Sequence, residues 1–95
     1  MSAMKPKEVQ LQLKSLPKWT KRAKTLVRTY QFKTFMDGLK FVTLVAKRAE
    51  KSQHHPDIDI RFNKVTLSLT THDEGGVTEK DFLMARQCDE AFAKR

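Results

Sequence analysis

The spacing of apolar and polar residues along this chain predicts three helices. Apolar side chains recur every three or four residues between residues 34 and 52, which predicts a long amphipathic helix with Thr34 at its start. The same spacing predicts a closing helix over residues 78 to 94, with Thr78 at its start. A shorter helix is predicted over residues 7 to 14, because Pro6 suits its first turn and Leu16-Pro17 ends it.

Alternation of apolar and polar residues predicts the strands. Residues 19 to 32 are rich in threonine, valine, leucine and aromatic side chains and suggest one clear strand preceded by a weaker one. After the long helix the period falls to two, and Asn63-Lys64 suits the two-residue turn of a hairpin. Such a turn fixes the register and pairs apolar residues on one buried face: Phe62 with Val65, Ile60 with Leu67 and Ile58 with Leu69.

The same register predicts that histidines meet at the open end of the hairpin. Extended outward, it places His55 opposite His72, whereas a bulge near Pro56 would bring His54 there instead. These three residues are all the histidines of the chain. Because imidazole exchanges protons near neutral pH, their convergence favours general acid-base chemistry on a small molecule.

Two other interpretations of the histidines stay open. A zinc ion could use His54 or His55 together with His72 and a carboxylate, although no second cysteine and no helical pair of histidines completes a familiar set. Alternatively, the ends of surface strands carry these residues by coincidence. Asp81 also has two explanations, one as a helix cap and one as a carboxylate that orients a histidine ring.

Composition restricts the class of protein. With 95 residues, 39% of them apolar and 32% charged, the chain suits one globular domain, residues 1–95, and it lacks the run of about 20 apolar residues that spans a bilayer. The single cysteine, Cys88, allows no intrachain disulfide and is expected to be buried rather than reactive. We expect a cytoplasmic location, since the first residues lack a secretory signal, with nuclear and organellar locations left open.

Positive charge is concentrated in the first third of the chain. Residues 1 to 33, the basic segment, contain nine Lys or Arg and one acid, whereas residues 34 to 95 contain ten of each sign. The whole formal charge of +8 therefore lies in the basic segment. This segment is interpreted as a solvated face, as a footprint for nucleic acid or an anionic surface, or as the remnant of an organellar targeting signal.

One set of spacings resembles the signature of the pterin-4a-carbinolamine dehydratase family. The residues that carry the resemblance are, in order, Glu50, the run His54-His55-Pro56, Phe62, His72 and Asp81. Neighbouring segments are similar to that family as well, among them Leu16-Pro17-Lys18-Trp19 and Gly76-Val77-Thr78-Glu79-Lys80-Asp81-Phe82. The similarity extends over nearly the whole chain.

The resemblance implies a fold and a reaction. The fold is α+β, a four-stranded antiparallel sheet with helices packed on one face, which agrees with the predicted order of elements. The reaction is dehydration of 4a-hydroxytetrahydrobiopterin to quinonoid dihydropterin and water, the step that recycles tetrahydrobiopterin, and it requires no metal ion or other cofactor. The resemblance also implies a homodimer or homotetramer.

The resemblance assigns roles to individual residues of this chain. The catalytic set falls on His54, His55 and His72, and the supporting aspartate is Asp81. The pterin contacts fall on His54-His55-Pro56 and on Thr71-His72-Asp73-Glu74. We predict that His54 and His72 exchange the roles of acid and base for the two C4a epimers, while His55 holds the pterin or shares proton transfer. Gln53 departs from the family, which usually carries Asp or Asn there.

The alternative function is an interaction module without catalytic activity. Some members of the family are dimerisation cofactors of a homeodomain transcription factor, so the resemblance also permits a coactivator role. The basic segment would otherwise bind nucleic acid, with an affinity that falls steeply with salt. No recognisable nucleic-acid-reading motif accompanies its lysines.

Overall fold

The computed structural model describes residues 3 to 95, and within them three α-helices and four β-strands follow the predicted order. The helices are α1 (Pro6–Leu13), α2 (Phe35–Ser52) and α3 (Glu79–Lys94). The strands are β1 (Thr20–Arg22), β2 (Thr25–Gln31), β3 (Asp57–Arg61) and β4 (Lys64–Leu69). They form one antiparallel sheet in the order β1-β2-β4-β3, which confirms the α+β class. None of these helices is both long and apolar enough to cross a bilayer.

The two faces of the sheet differ in burial. One face packs with apolar residues of α2 and α3, and its apolar side chains on the two central strands, β2 and β4, are almost fully buried: Leu26, Tyr30, Val65, Leu67 and Leu69. Because side chains alternate along a strand, the intervening residues form a second face, which we call the open face. Its side chains are exposed or half-buried: Thr20, Arg22, Thr25, Val27, Thr29, Gln31, Asp57, Asp59, Arg61, Lys64, Thr66 and Ser68.

The turn between β3 and β4 differs from its prediction. The two turn residues are Phe62-Asn63 rather than Asn63-Lys64, so that Ile60 faces Val65 and the register shifts by two residues. The end of β2 explains the shift, because Asn63 exchanges hydrogen bonds with Phe32. Asn63 Nδ2 donates to the Phe32 carbonyl (2.7 Å), and the Phe32 N–H donates to the Asn63 carbonyl (2.9 Å). Phe62 is left in the turn, with φ +53° and 72% of its surface exposed.

The shifted register also removes the predicted pairing of His55 with His72. Strand pairing stops at Asp57 and Ser68, so His55 lies outside the ladder. Thr71 instead forms an isolated bridge with Gly76, and His72 begins a short 3-10 helix, His72–Glu74. The prediction that these two rings face each other across the hairpin is therefore wrong.

Asp89 ties α3 to the first two strands. Its Oδ1 atom accepts hydrogen bonds from Trp19 Nε1 (3.0 Å), the Arg28 guanidinium (2.7 Å) and the Tyr30 hydroxyl (2.5 Å). The Arg28 guanidinium also lies over the Tyr30 ring, 4.1 Å from its centroid. Burial raises the pKa of Tyr30, and the hydrogen bond to Asp89 adds to the effect, so the phenol stays protonated at neutral pH.

Cys88 precedes Asp89 on α3 and faces the core. It is fully buried, as predicted. Burial raises the pKa of its thiol to about 12, mainly because the thiolate would lose its hydration. The reactive thiolate is therefore scarce at neutral pH, and Cys88 is a packing residue.

Candidate active site

Helix α2 ends in a turn that directs His54 toward α3. Gln53 adopts the left-handed conformation, with φ 55° and ψ 36°. The backbone N–H of His54 then donates to the Ala49 carbonyl (3.2 Å), and the His54 ring, 15% exposed, contacts the first turn of α3. Asp and Asn adopt left-handed backbone more readily than Gln, which gives a conformational reason for the Asp or Asn expected at this position.

Asp81 joins the start of α3 to His54. Its side chain is fully buried, and its Oδ2 atom accepts a hydrogen bond from the Thr78 backbone N–H (2.8 Å), so Asp81 and Thr78 form a capping box and the expected helix cap is confirmed. The same oxygen lies 2.9 Å from the Thr71 hydroxyl. The other oxygen, Oδ1, lies 2.6 Å from His54 Nε2. Asp81 is therefore a helix cap and a histidine partner at the same time.

The hydrogen bonds around Asp81 have one consistent direction. A charged carboxylate only accepts, and the Thr78 backbone N–H only donates. The Thr78 hydroxyl accepts from the Lys80 N–H (3.3 Å) and lies 2.8 Å from the Thr71 hydroxyl. If Thr78 donates its hydroxyl proton to Thr71, then Thr71 donates to Asp81. With this orientation, no buried side-chain polar atom in the described part of the chain lacks a partner.

This network assigns the tautomer of His54. Because Asp81 only accepts, the proton between them belongs to His54 Nε2, and Nδ1 of the neutral ring keeps a free lone pair. Such a ring can accept a proton at Nδ1, and the adjacent carboxylate stabilises the cation that forms. His54 can therefore act as a general base and, once protonated, as a general acid.

His55 contacts a different carboxylate, on the last turn of α2. Its Nε2 atom lies 2.5 Å from Glu50 Oε2, with the two side chains 54% and 74% exposed. Water screens a pair this exposed, so Glu50 orients the His55 ring more than it stabilises the fold. Glu50 carries part of the family resemblance, yet the sequence alone does not assign it to the site. Its position shortly before His54-His55 is the sequence signal that could have identified it.

His72 and His54 line different cavities. His72 is exposed and borders a shallow cavity of about 410 Å³, together with residues of the β1–β2 turn and Gly75-Gly76. His54 borders a cavity of about 230 Å³ between the end of α2 and the exposed side of α3. Thr71 connects the two histidines, since it directly precedes His72 and its hydroxyl contacts Asp81, whose carboxylate holds His54.

The remaining predicted site residues lie near these groups with different exposure. Thr71, predicted as a pterin contact, is 7% exposed, and its hydroxyl contacts Asp81 and Thr78 instead of solvent. Pro56 and Glu74 are half-buried, and Asp73 is exposed. The Thr71 side chain therefore supports Asp81, whereas Asp73 is open to a ligand.

Relatives of this chain carry a consistent name. A protein of Roseiflexus sp. (strain RS-1) is 51% identical over 83 residues, which is 87% of this chain and 89% of that protein. One of Thermomicrobium roseum is 50% identical over 78 residues, covering 82% of this chain and 84% of the relative. One of Chloroflexus aurantiacus is 48% identical over 90 residues, 95% of this chain and 97% of the relative. All three names assign the pterin-4-alpha-carbinolamine dehydratase activity provisionally.

Solved structures and a family model agree with these relatives. A crystal structure of a transcriptional coactivator/pterin dehydratase from Brucella melitensis matches with a TM-score of 0.90 and 34% identity, over 95% of this chain and 98% of that one. A pterin dehydratase-like RuBisCO assembly factor of the alpha-carboxysome shares the fold, with a TM-score of 0.63 and 19% identity over 77% of this chain and 84% of that one. The family model "Pterin 4 alpha carbinolamine dehydratase" matches residues 2–91. This chain therefore belongs to the pterin-4-alpha-carbinolamine dehydratase family.

Proposed function

We propose that this protein dehydrates 4a-hydroxytetrahydrobiopterin to quinonoid dihydropterin and water. Membership of the dehydratase family supports the reaction class. The observation that carries the proposal is the 2.6 Å contact between His54 Nε2 and buried Asp81, at the position of the His-His-Pro run. A carboxylate-held imidazole at that position is the acid-base group that the reaction needs.

The reaction requires one acid and one base. The C4a–O bond breaks with its electron pair on oxygen, so an acid must protonate that oxygen for water to leave. The nitrogen next to C4a loses its proton to a base, and the electron pair of that N–H bond becomes part of the new C=N bond. The two proton transfers balance, and no electrons are gained or lost overall.

In this proposal His54 and His72 are the two proton-transfer groups. His54 takes the proton at Nδ1, because its Nε2 proton is held by Asp81. His72, exposed in the turn after Thr71, protonates the leaving oxygen. The 4a-hydroxyl of the opposite epimer lies on the other face of the pterin, so the two histidines exchange roles for it.

His55 and the neighbouring segments hold the pterin in this proposal. Glu50 fixes the orientation of the His55 ring, which leaves its Nδ1 atom for the substrate. Pro56 and the exposed residues of the His72–Glu74 turn supply the remaining contacts. His55 therefore acts mainly on binding, and its loss should raise KM more than it lowers kcat.

The test is a stopped-flow assay of chemically prepared 4a-carbinolamine with the purified protein. His54→Ala and His72→Ala should each lower turnover by roughly 10²–10⁴-fold, the usual contribution of one positioned acid or base. Circular dichroism should report an intact fold for both, since neither ring lies in the apolar core. If both variants turn over the carbinolamine at the wild-type rate, the proposed roles are wrong.

We also propose that the protein forms a homodimer or homotetramer. Strand β3 is a sheet edge, and apolar side chains remain exposed along it: Ile58 (38%), Ile60 (37%) and, in the adjoining turn, Phe62 (72%). Exposed edges with apolar flanks favour pairing. Sedimentation equilibrium should give a mass of two or four chains, and a monomer at micromolar concentration would contradict the proposal.

A further inference from the structure

A broad trough on the open face is lined by cations and threonines. Its volume is about 600 Å³, and residues of all four strands border it, together with Lys18 just before β1. Arg61 and Lys64 come from the part of the sequence that is neutral overall. Folding therefore gathers charge that the sequence keeps apart. Arg28 borders the trough too, but its guanidinium lies on the opposite face of the sheet with Asp89. The charged side chains of the open face that line the trough are four cations and one acid: Lys18, Arg22, Arg61, Lys64 and Asp59.

Three of these cations have no acidic partner in the part of the chain that the structure describes. Of the four, Arg61 is paired with Asp59 (3.2 Å). The ion pairs within residues 3–95 include none of the other three cations, which are Lys18, Arg22 and Lys64. Their charges are therefore available to an external anion.

The available cations are spread along the length of the sheet. Arg22 is opposite Thr25 and Lys64 is opposite Gln31, so they mark the two ends of β2, about 20 Å apart at roughly 3.3 Å per residue. Between them the floor carries threonine side chains, whose hydroxyls donate and accept hydrogen bonds. Lysine, arginine and threonine are side chains that commonly contact phosphate oxygens in nucleic-acid complexes.

We propose that the open face binds the phosphate backbone of double-stranded nucleic acid without reading its sequence. The strand residues of this face include no aromatic side chain, so they offer no stacking platform for the bases of a single strand. Val27 is their one apolar residue, so the face also lacks the large central anchor of a typical protein interface. A duplex needs neither, because phosphate contacts and counterion release supply the affinity.

The test measures binding of a short fluorescent duplex of mixed sequence by anisotropy at several salt concentrations. If three phosphates are neutralised, the affinity should fall about 40-fold between roughly 50 and 200 mM salt, from a slope of about −0.9 per phosphate. The triple variant Lys18→Gln/Arg22→Gln/Lys64→Gln should bind more weakly at low salt and lose less than about threefold over the same range.

The matched control removes the same charge from another surface. Lys40→Gln/Lys47→Gln/Lys51→Gln alters exposed positions of α2 and should keep the wild-type salt dependence. Equal losses in the two triple variants would mean that net charge alone drives binding and would overturn the proposal. Tighter binding of a single strand, or of a poly-glutamate peptide, than of the duplex would overturn it as well.

A single substitution tests the proposal even if the triple variant does not fold normally. Lys18→Gln lies outside the strands and should reduce the salt slope by about one; an unchanged slope would count against the proposal. The open-face variants should retain dehydratase turnover, and His54→Ala should bind the duplex as the wild type does. Failure of one proposal is therefore distinguishable from failure of the other.

Discussion

Replacement of Asp81 by Asn tests whether the buried carboxylate controls the tautomer of His54. In the native chain, Oδ2 lies within hydrogen-bond distance of the Thr78 N–H and the Thr71 hydroxyl, and Oδ1 contacts His54 Nε2. An amide has only one oxygen. If that oxygen faced His54, the amide NH2 would oppose the Thr78 N–H, two donors about 2.8 Å apart. The amide should therefore keep its oxygen toward Thr78 and turn its NH2 group to His54.

That orientation reverses the protonation of the ring. His54 Nε2 must then accept, so the proton moves to Nδ1 and blocks the atom that we propose as the base. Loss of a positioned acid or base predicts a fall in turnover of roughly 10²–10⁴-fold. The unfolding free energy should also fall by about 1.5–3 kcal/mol, the usual worth of a hydrogen bond to a charged group, because the carboxylate charge is lost.

Stopped-flow turnover and urea denaturation separate these two effects. Asp89→Asn is the matched control, because Asp89 lies on the same helix and accepts three hydrogen bonds, none of them from a histidine. It should lose comparable stability and keep its turnover. Wild-type turnover in folded Asp81→Asn, or an equal loss of turnover in both variants, would refute the tautomer reasoning.

Three further predictions concern positions away from the histidine rings. Gln53→Asn should raise the unfolding free energy by about 0.5–1 kcal/mol in urea titrations, because Asn tolerates the left-handed backbone better; an unchanged midpoint would contradict this. Tyr30 has a native pKa raised above its unfolded value of about 10, so its contribution is complete below pH 10 and is lost above it. Stability should fall by about 1 kcal/mol between pH 10 and 11, since the limiting slope of about 1.4 kcal/mol per pH unit is reached only above that range, and Tyr30→Phe should remove this fall in melts up to pH 11. Cys88, with its pKa raised to about 12, should be almost entirely protonated at pH 7.5 and react with a thiol reagent only on unfolding.

The helices and the order of strands could be predicted because local signals agree with tertiary burial. Thr34 and Thr78 both accept hydrogen bonds at the helix starts that the sequence predicts, and α2 ends at Ser52 as expected. The hairpin turn could not be placed, because Phe62 fits the alternation of β3 equally well. The observed register is accompanied by hydrogen bonds between Asn63 and Phe32, 31 residues earlier, and such long-range contacts cannot be read from local alternation.

The identity of the candidate site residues could be predicted more readily than their arrangement in space. The family resemblance identifies His54 and Asp81, and the structure brings them into contact. The expected opposition of His55 and His72 depended on extending a strand ladder beyond its last pair. The left-handed turn at Gln53 directs His54 to Asp81 instead, and a backbone conformation of this kind leaves little trace in side-chain periodicity.

The rate of hydrogen–deuterium exchange at the Thr78 backbone amide reports how often this site opens. The amide proton is buried and bonded to the carboxylate that also holds His54, so exchange with deuterium requires the first turn of α3 to come apart. The helix start and the imidazole therefore loosen in a single event. A pterin bound against His54 should slow deuterium uptake at this amide, while uptake near Asp89, in the second half of the helix, should stay the same.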